Sequence, residues 1–175
     1  MVDSDQERAA VAWQTGVWSR ISDIYMREID GRFAPVVEAL ITRAVLAPGE
    51  NVLDLGTGTG AVAERAAASV GPNGRVAAVD ISPEMLALAR QRASALGLGN
   101  ISLLEGRAER IPAADDSFDV VLACLSLMYV IDRDAAAREI ARVLRPGGRF
   151  VAAVWVSAGR SGPPLPQHDP VHHRP

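Results

Sequence analysis

The ten residues 51–60 constrain the fold of this chain more than any other stretch. An apolar run over 52–55 leads into a segment with glycine at every second position, and a helix-forming segment begins at Ala61. Alternate glycines permit backbone dihedrals that other residues rarely adopt, and they leave no side chain between the loop and a bound ligand. We therefore predict a strand, a tight glycine-rich turn and a helix start, an arrangement that usually holds a nucleotide-like molecule. The glycines are Gly56, Gly58 and Gly60.

Asp54, two residues before the first glycine, distinguishes between classes of ligand. A carboxylate at this end of the strand would repel a pyrophosphate, which dinucleotide-binding folds place at the helix N-terminus. The same carboxylate would attract a cationic amino acid, and S-adenosylmethionine carries an ammonium and a sulfonium centre. Two alternatives stay open. One is a surface turn in which Asp54 only caps the following helix, and the other is a dinucleotide site, because Gly56, Gly58 and Ala61 also satisfy G-x-G-x-x-G/A.

Strand-like and helix-like segments alternate along the rest of the chain. Asp80 ends the second predicted strand, 20 residues beyond Gly60, the spacing at which a βαβ nucleotide fold places an acidic residue on the ribose hydroxyls. Ser82 is a candidate N-cap for the helix that follows. The alternation predicts an α/β fold, a doubly wound and mostly parallel Rossmann-like sheet of about five strands. The predicted strands are 52–55, 75–79, 101–104, 120–123 and, after a turn over 145–148, 149–156; helices start at Pro35, Ala61, Pro83 and Asp134.

The N-terminal segment carries an apolar stripe whose members lie three and four residues apart, which predicts one amphipathic helix or two short ones over 5–30. A helix packed on the core accounts for this stripe. Its aromatic side chains could also form a lid over a ligand on the glycine-rich loop, because they exclude water well. We therefore divide the chain into N-terminal helices (1–46), a ligand-binding domain (47–156) and a disordered tail (157–175) without periodicity. The stripe consists of Trp13, Val17, Trp18, Ile21, Ile24 and Tyr25.

Composition argues against several other classes of function. With 49% apolar and 22% charged residues the chain is typical of a soluble globular protein, and its net charge of −3 gives no reason to expect nucleic-acid binding. The N-terminus is acidic and no run of about 18 apolar residues occurs, so we expect a cytoplasmic protein without a membrane span. The single cysteine, Cys124, excludes an intrachain disulfide and is expected to be a small buried residue at a strand end. All three histidines (168, 172 and 173) lie in the tail, so no metal site is predicted.

Four segments together resemble the class I S-adenosylmethionine-dependent methyltransferases, particularly those of ubiquinone and menaquinone biosynthesis. The resemblance covers about 48–155 and implies S-adenosylmethionine as the cofactor. It also implies a helix and two more strands after the fifth strand, and because these are missing we expect a C-terminally truncated member of the family. The fifth strand would then be an exposed edge that could pair with a second copy in a homodimer. The four segments are 52–60, 79–85, 117–121 and 143–148.

The same resemblance assigns roles to residues of the glycine-rich loop and of the neighbouring strand ends. It places Asp54 near the ammonium group of the cofactor, Asp80 on both ribose hydroxyls and Ile81 on the adenine face. The backbone N–H of Ala108 would bind the adenine ring, and Cys124 would make main-chain contacts near the methyl group. The cofactor-binding candidates are Asp54, Gly56, Thr57, Gly58, Gly60, Asp80, Ile81, Ala108, Glu109 and Cys124, and the acceptor-side candidates are Tyr25, Met128 and Tyr129.

The chain departs from the family pattern at two places. Arg107 stands where an aspartate commonly accepts a hydrogen bond from the adenine amino group, and an arginine cannot accept one. Adenine recognition would then depend on backbone groups or on Glu109. Met128 and Tyr129 stand where a histidine often follows the fourth strand. The predicted core therefore offers no general base for neutral pH, and no catalytic residue is assigned.

The leading hypothesis is a methyltransferase that moves the methyl group of S-adenosylmethionine to a small, apolar acceptor molecule. Because this cofactor already carries a good leaving group, such catalysis consists mostly of positioning and of the exclusion of water. The first alternative is a non-catalytic S-adenosylmethionine-binding remnant that keeps the cofactor half and lacks the substrate half. The second alternative is a dinucleotide-binding oxidoreductase, against which Asp54 argues.

Overall fold

A central sheet organises the molecule. The computed structural model describes residues 5–155, and the predicted tail (157–175) with its three histidines lies outside them. The strands are β1 (Asn51–Leu55), β2 (Arg75–Asp80), β3 (Ile101–Glu105), β4 (Phe118–Cys124) and β5 (Leu144–Ala153). They pair in parallel in the order β3-β2-β1-β4-β5. The predicted α/β fold with a doubly wound parallel sheet of five strands is therefore confirmed.

Helices precede the sheet and connect its strands. The described α-helices are α1 (Asp5–Ile24), α2 (Ala34–Ala44), α3 (Ala61–Val70), α4 (Pro83–Ala95) and α5 (Arg133–Val143). A π-helical turn (Tyr25–Ile29) and a 3₁₀ turn (Asp30–Phe33) join α1 to α2. Ser82 caps α4 as predicted, because its hydroxyl oxygen accepts a hydrogen bond from the N–H of Met85 at 3.2 Å. No helix in the described range is long and apolar enough to cross a bilayer.

Both faces of the sheet are buried, which explains why its strands read as apolar runs. In β1 the side chain of Val52 joins an apolar cluster with α2 and α3, whereas Leu53 and Leu55 join a second cluster with α5. Each of these three residues is at most 2% exposed. This two-sided core fixes the carboxyl ends of β1, β2 and β4 at one edge of the sheet, where ligands of open α/β folds bind.

The last strand differs from the sequence prediction. β5 runs over Leu144–Ala153 rather than over the predicted 149–156, because the segment 145–148 lies inside the strand instead of forming a turn before it. Phe118 and Val120 of β4 pair with the residues on either side of this segment, so the register of β5 against β4 shifts there. The Pro-Gly-Gly sequence that signalled a turn is accommodated as an irregularity between two paired strands.

Helix α1 lies over the carboxyl edge of the sheet, whereas α2 packs into the apolar cluster that contains Val52. Ser22 is the one residue of α1 that is buried. Below α1, the guanidinium group of Arg92 on α4 forms an ion pair with Asp30 of the 3₁₀ turn and a longer one with Glu64 of α3, at 3.5 Å. Arg92 thus joins the turn between α1 and α2 to both α3 and α4.

Candidate functional site

A cleft opens at the carboxyl ends of β1, β2 and β4, with α1 as its roof. Its empty volume is about 850 Å³, counting the solvent at its mouth. The floor comes from the glycine-rich loop and the ends of the strands, and the walls come from the loops that follow β3 and β4. The lining residues are Val11, Gln14, Trp18, Tyr25, Leu55, Gly56, Gly58, Asp80, Ile81, Met85, Gly106, Arg107, Ala108, Glu109, Cys124, Leu125, Ser126, Leu127, Tyr129, Val130 and Ile131.

The glycine-rich loop after β1 is held against the end of β2. The N–H groups of Gly56 and Thr57 both donate to the carbonyl oxygen of Val79, at 2.8 and 2.9 Å. Gly56 has a φ of +76°, and a Cβ there would lie 2.3 Å from the Cβ of Ser126, so only glycine fits. Gly58 also has a positive φ, of +54°, but no atom lies within 4 Å of the place where its Cβ would stand. The loop therefore leaves open space above Gly58, on the side of the cleft.

Asp80 lies at the end of β2 and lines the cleft while being only 9% exposed. One carboxylate oxygen accepts the N–H of Gly58 at 2.7 Å, and the other accepts the N–H of Ser82 at 2.9 Å. Burial raises the pKa of Asp80 above its ordinary value, and these backbone hydrogen bonds oppose the rise. The carboxylate thus ties the glycine-rich loop to the start of α4 and faces the ligand space as a hydrogen-bond acceptor.

Asp54 lies beneath the loop and does not line the cleft. It is fully buried, and one carboxylate oxygen accepts the hydroxyl of Thr57 at 2.6 Å. The other oxygen has no hydrogen bond of good geometry, although the N–H of Ala63 lowers the pKa slightly. Burial dominates and raises the pKa of Asp54 to about 7. Gly60 also lies outside the cleft, and a Cβ added to it would be 3.0 Å from the Cβ of Ala89. Some of the predicted cofactor-binding residues therefore support the loop from below.

The wall that follows β2 and β3 contains the candidates Ile81, Ala108 and Glu109 together with Arg107. The guanidinium of Arg107 forms an ion pair with Glu7 of α1, with 2.9 Å between Nη2 and Oε1. This arginine therefore reaches toward the roof of the cleft.

Glu109 binds the backbone of the opposite wall. One of its carboxylate oxygens accepts the N–H groups of Ile131 and Asp132, at 2.9 and 3.3 Å. The carboxylate thus fixes the loop before α5 against the loop after β3, and the two walls of the cleft are held together by it.

The wall after β4 contains residues that no sequence pattern identified. Leu125 adopts the left-handed conformation with a φ of +55°, which is uncommon for a leucine and is typical of functional turns. Ser126 donates its hydroxyl to the carbonyl oxygen of Leu55 at 2.7 Å, so β4 and β1 are joined at the floor. Cys124 also lines the cleft and is partly buried. Burial, with a smaller contribution from Asp54, raises the pKa of its thiol to about 11, so the thiol stays protonated.

Three aromatic rings meet at the roof. Trp18 of α1 packs edge-to-face on Tyr129, with 4.9 Å between ring centroids, and on Tyr25, with 6.2 Å. Gln14 donates its side-chain amide to the carbonyl oxygen of Tyr129 at 2.6 Å. Burial, followed by the charge of Asp30, raises the pKa of Tyr25 to about 12. Tyr25 and Tyr129 both line the cleft, and the phenol of Tyr25 stays protonated there.

Not every predicted residue reaches the cleft. Met128 lies in the same short 3₁₀ turn as Tyr129 but outside the lining, whereas the neighbouring Leu127, Val130 and Ile131 are part of it. A turn of three residues has no periodicity from which the inward side could be read. Among the described residues there is no group of three or more His, Cys, Asp or Glu side chains arranged to hold a metal ion.

Comparisons with known proteins identify relatives of this arrangement. The family described as "Methyltransferase domain" matches residues 46–162. The ubiquinone/menaquinone biosynthesis C-methyltransferase UbiE of Hahella chejuensis is 40% identical over 112 residues, which cover 63% of this chain and 45% of that protein. An uncharacterized protein of Mycobacterium tuberculosis is 33% identical over 161 residues, covering 90% of this chain and 55% of that protein. The chain thus spans about half the length of these curated relatives.

A solved structure has the same fold. The crystal structure of a SAM dependent methyltransferase from Aquifex aeolicus superposes with a TM-score of 0.66 at 29% sequence identity. The alignment covers 73% of this chain and 69% of that one.

Proposed function

The chain belongs to the class I S-adenosylmethionine-dependent methyltransferases, and we propose that its cleft binds S-adenosylmethionine for transfer of the methyl group to a small, apolar acceptor. The observation that carries this proposal is the pairing of Gly58 with Asp80 at the floor of the cleft. Open space above Gly58 admits the ligand against the backbone. The Asp80 carboxylate, anchored by two backbone N–H groups, would accept hydrogen bonds from a ribose.

The charges at this edge of the sheet suit a cationic ligand better than a dinucleotide. Asp80 faces the cleft, and Asp54 lies buried beneath the glycine-rich loop against which a pyrophosphate would have to bind. Arg107, the basic residue in the described lining, is paired with a carboxylate. A pyrophosphate would meet acidic groups and little compensating positive charge. Family membership and these charges together favour the methyltransferase over the dinucleotide-binding oxidoreductase.

The protein's own contribution to the reaction would be binding, orientation and exclusion of water. Bound S-adenosylmethionine would supply a methyl group already activated by its sulfonium centre. Asp80, Ile81 and the backbone of Ala108 would hold the nucleoside part, and the loop at Gly58 would hold the amino-acid part. The aromatic roof of Trp18, Tyr25 and Tyr129 would exclude water, and its apolar surface favours an uncharged acceptor.

Isothermal titration calorimetry tests the cofactor assignment directly. We expect S-adenosylmethionine to bind and NAD not to bind. Asp80→Ala should weaken S-adenosylmethionine binding by about 1 to 3 kcal/mol, because it removes a buried acceptor from the ribose. Asp119→Ala is the matched control, since this carboxylate also accepts a backbone N–H, from Asn51 at 2.8 Å, but lies outside the cleft. Equal affinities for the two variants would contradict the ribose assignment.

The same protein also tests whether the chain is catalytic. Binding of S-adenosylmethionine without transfer to any apolar acceptor would support the non-catalytic alternative. We also propose that the N-terminal helices form a lid on a separate ligand-binding domain. A cytoplasmic location and dimerisation through β5 are two further proposals. The contacts of α1 with the cleft support the lid, and the exposed edge of β5 supports the dimer.

A further inference from the structure

The aromatic roof of the cleft has a geometry that suits a cation. Trp18, Tyr25 and Tyr129 all line the cleft. The rings of Tyr25 and Tyr129 stand at 81° and 78° to the ring of Trp18, with 6.2 and 4.9 Å between the centroids. Stacked rings cover one another's faces, whereas rings at nearly right angles form the adjoining walls of a corner. Aromatic cages of this kind bind quaternary ammonium groups, because the negative ring faces attract a cation within about 6 Å of the ring centroid.

The surroundings of Tyr25 indicate which part of the cofactor would meet the roof. Burial and the charge of Asp30 are the main causes of the raised pKa of its phenol, and Cys124 and Asp80 contribute further. The phenol is therefore within electrostatic range of the ends of both β4 and β2. In the proposed binding mode Asp80 holds the ribose, and a single methylene group joins the ribose to the sulfonium. The sulfonium would then lie between these two strand ends, under the ring of Tyr25.

The backbone that carries the roof is held by contacts other than those of the rings. Gln14 of α1 donates to the carbonyl oxygen of Tyr129 at 2.6 Å, and the hydroxyls of Ser19 and Ser82 lie 3.1 Å apart. A π-helical turn begins at Tyr25, a rare conformation that is frequent at functional sites. Replacement of a single ring would therefore leave α1 attached, and the effect of that ring on a ligand can be measured separately from folding.

We propose that the aromatic roof is a cation-binding cage, which holds the sulfonium of S-adenosylmethionine and distinguishes this cofactor from its demethylated product, S-adenosylhomocysteine. The two ligands differ in one methyl group and in the charge of the sulfur, which is a cation in the first and a neutral thioether in the second. The cation–π attraction therefore ends when the methyl group has been transferred, which favours release of the product. This inference rests on the proposed function, because it assumes that the cleft holds this cofactor.

Calorimetry with four proteins tests the cage: the wild type, Tyr25→Leu, Tyr25→Phe and Tyr129→Leu. In each protein the dissociation constants of S-adenosylmethionine and S-adenosylhomocysteine are measured, and their ratio is taken. We expect each leucine variant to shift the ratio against S-adenosylmethionine by roughly threefold to tenfold, because leucine fills space but has no ring face to attract a cation. Tyr25→Phe should keep the ratio of the wild type, because phenylalanine retains the ring.

The ratio distinguishes cation–π attraction from a structural role of the rings. Loosening of the roof would weaken both ligands alike and leave the ratio unchanged, which would overturn the inference. An equal shift in Tyr25→Phe and Tyr25→Leu would also overturn it, because the hydroxyl and not the ring would then be responsible. Phe33→Leu is the matched control and should keep the ratio, since this ring of the N-terminal segment packs against Trp155 outside the cleft lining.

A second ligand separates the two possible sources of the cation. Tetramethylammonium chloride is titrated into the complex of the wild type with S-adenosylhomocysteine. If the leucine variants left the ratio unchanged and tetramethylammonium bound beside the product, the cage would belong to a cationic acceptor, and the assignment to the sulfonium would be wrong. If the wild type bound neither S-adenosylmethionine nor S-adenosylhomocysteine, the proposed function would fail instead, which is a separate result.

Discussion

At the scale of single residues, two buried aspartates differ in whether their carboxylates can contact a ligand in the cleft. Asp80 receives two backbone N–H groups and lines the cleft, whereas Asp54 receives a threonine hydroxyl and lies beneath the loop. Spacing relative to the glycines was enough to single out both residues. It could not predict that one carboxylate reaches the ligand space and the other does not, because that depends on how the loop folds over the end of β1.

The buried carboxyl of Asp54 should make stability depend on pH. Burial raises its pKa to about 7 from an ordinary 3.8, so between these values the unfolded chain is ionised while the native state keeps its proton. The native state then binds more protons, and the free energy of unfolding falls as the pH rises, until it levels off above about pH 7. Asp54→Asn keeps an oxygen for Thr57 and removes this titration.

Urea denaturation of the wild type and of Asp54→Asn at pH 5 and pH 8 measures the effect. Relative to the variant, the wild type should lose roughly 2 to 3 kcal/mol of unfolding free energy between the two pH values. All other titrating groups are shared by the two proteins, so their contributions cancel. A difference between the proteins that is the same at both pH values would show that the pKa of Asp54 is not raised.

At the scale of secondary-structure elements, local signals predicted what local interactions determine. The cap of α4 at Ser82 and the start of α2 beside Pro35 were predicted from residues that act on their own turn. The contacts that attach α1 to the cleft were not predicted. Glu7 contacts Arg107 and Gln14 contacts Tyr129, and the partners are about a hundred residues apart in the sequence. Periodicity indicates which face of a helix is apolar, but it carries no information about distant polar partners.

Arg149 of β5 makes another long-range connection, and its removal should destabilise the fold. Its guanidinium donates to the carbonyl oxygens of Ala44 and Val45 at the end of α2, at 2.6 and 2.9 Å, and pairs with Glu50 at 2.7 Å. Hydrogen bonding to Arg149 also holds the pKa of Glu50 below its ordinary value. Arg149→Ala leaves these acceptors without their donor and should lower the free energy of unfolding by about 1 to 3 kcal/mol.

The expected pattern across variants identifies the cause. Arg149→Lys should recover only part of the loss, because a point-like ammonium cannot serve three acceptors in the way a planar guanidinium does. Arg27→Ala, which removes an exposed ion pair with Glu28, should cost less than about 0.5 kcal/mol. Urea denaturation curves of the three variants would refute the assignment if Arg149→Ala and Arg27→Ala were equally mild.

At the scale of the whole molecule, the architecture was predictable because strands that alternate with helices leave few topologies open. Right-handed crossovers and two-sided burial lead to one parallel sheet with its site at the carboxyl ends. The detail that escaped prediction is at β5, where 145–148 reads as a turn but lies inside the strand. Proline and glycine indicate which backbone conformation a segment prefers locally. In 145–148, pairing of the flanking residues with β4 outweighs this local preference.

The exposed side of β5 leads to a prediction about assembly. Among the described residues β5 pairs only with β4, and large apolar side chains lie near its open edge: Phe150 is 42% exposed and Val154 49%. An open edge with apolar side chains favours pairing with another strand, so we expect concentration-dependent self-association in sedimentation velocity experiments.

Phe150→Lys and Val154→Lys should reduce this self-association, because charge at an edge disfavours pairing. Leu96→Lys, at an equally exposed leucine on the end of α4, should leave it unchanged. A protein that stays monomeric at all concentrations would refute the prediction, and equal effects of all three substitutions would place the contact elsewhere than at β5.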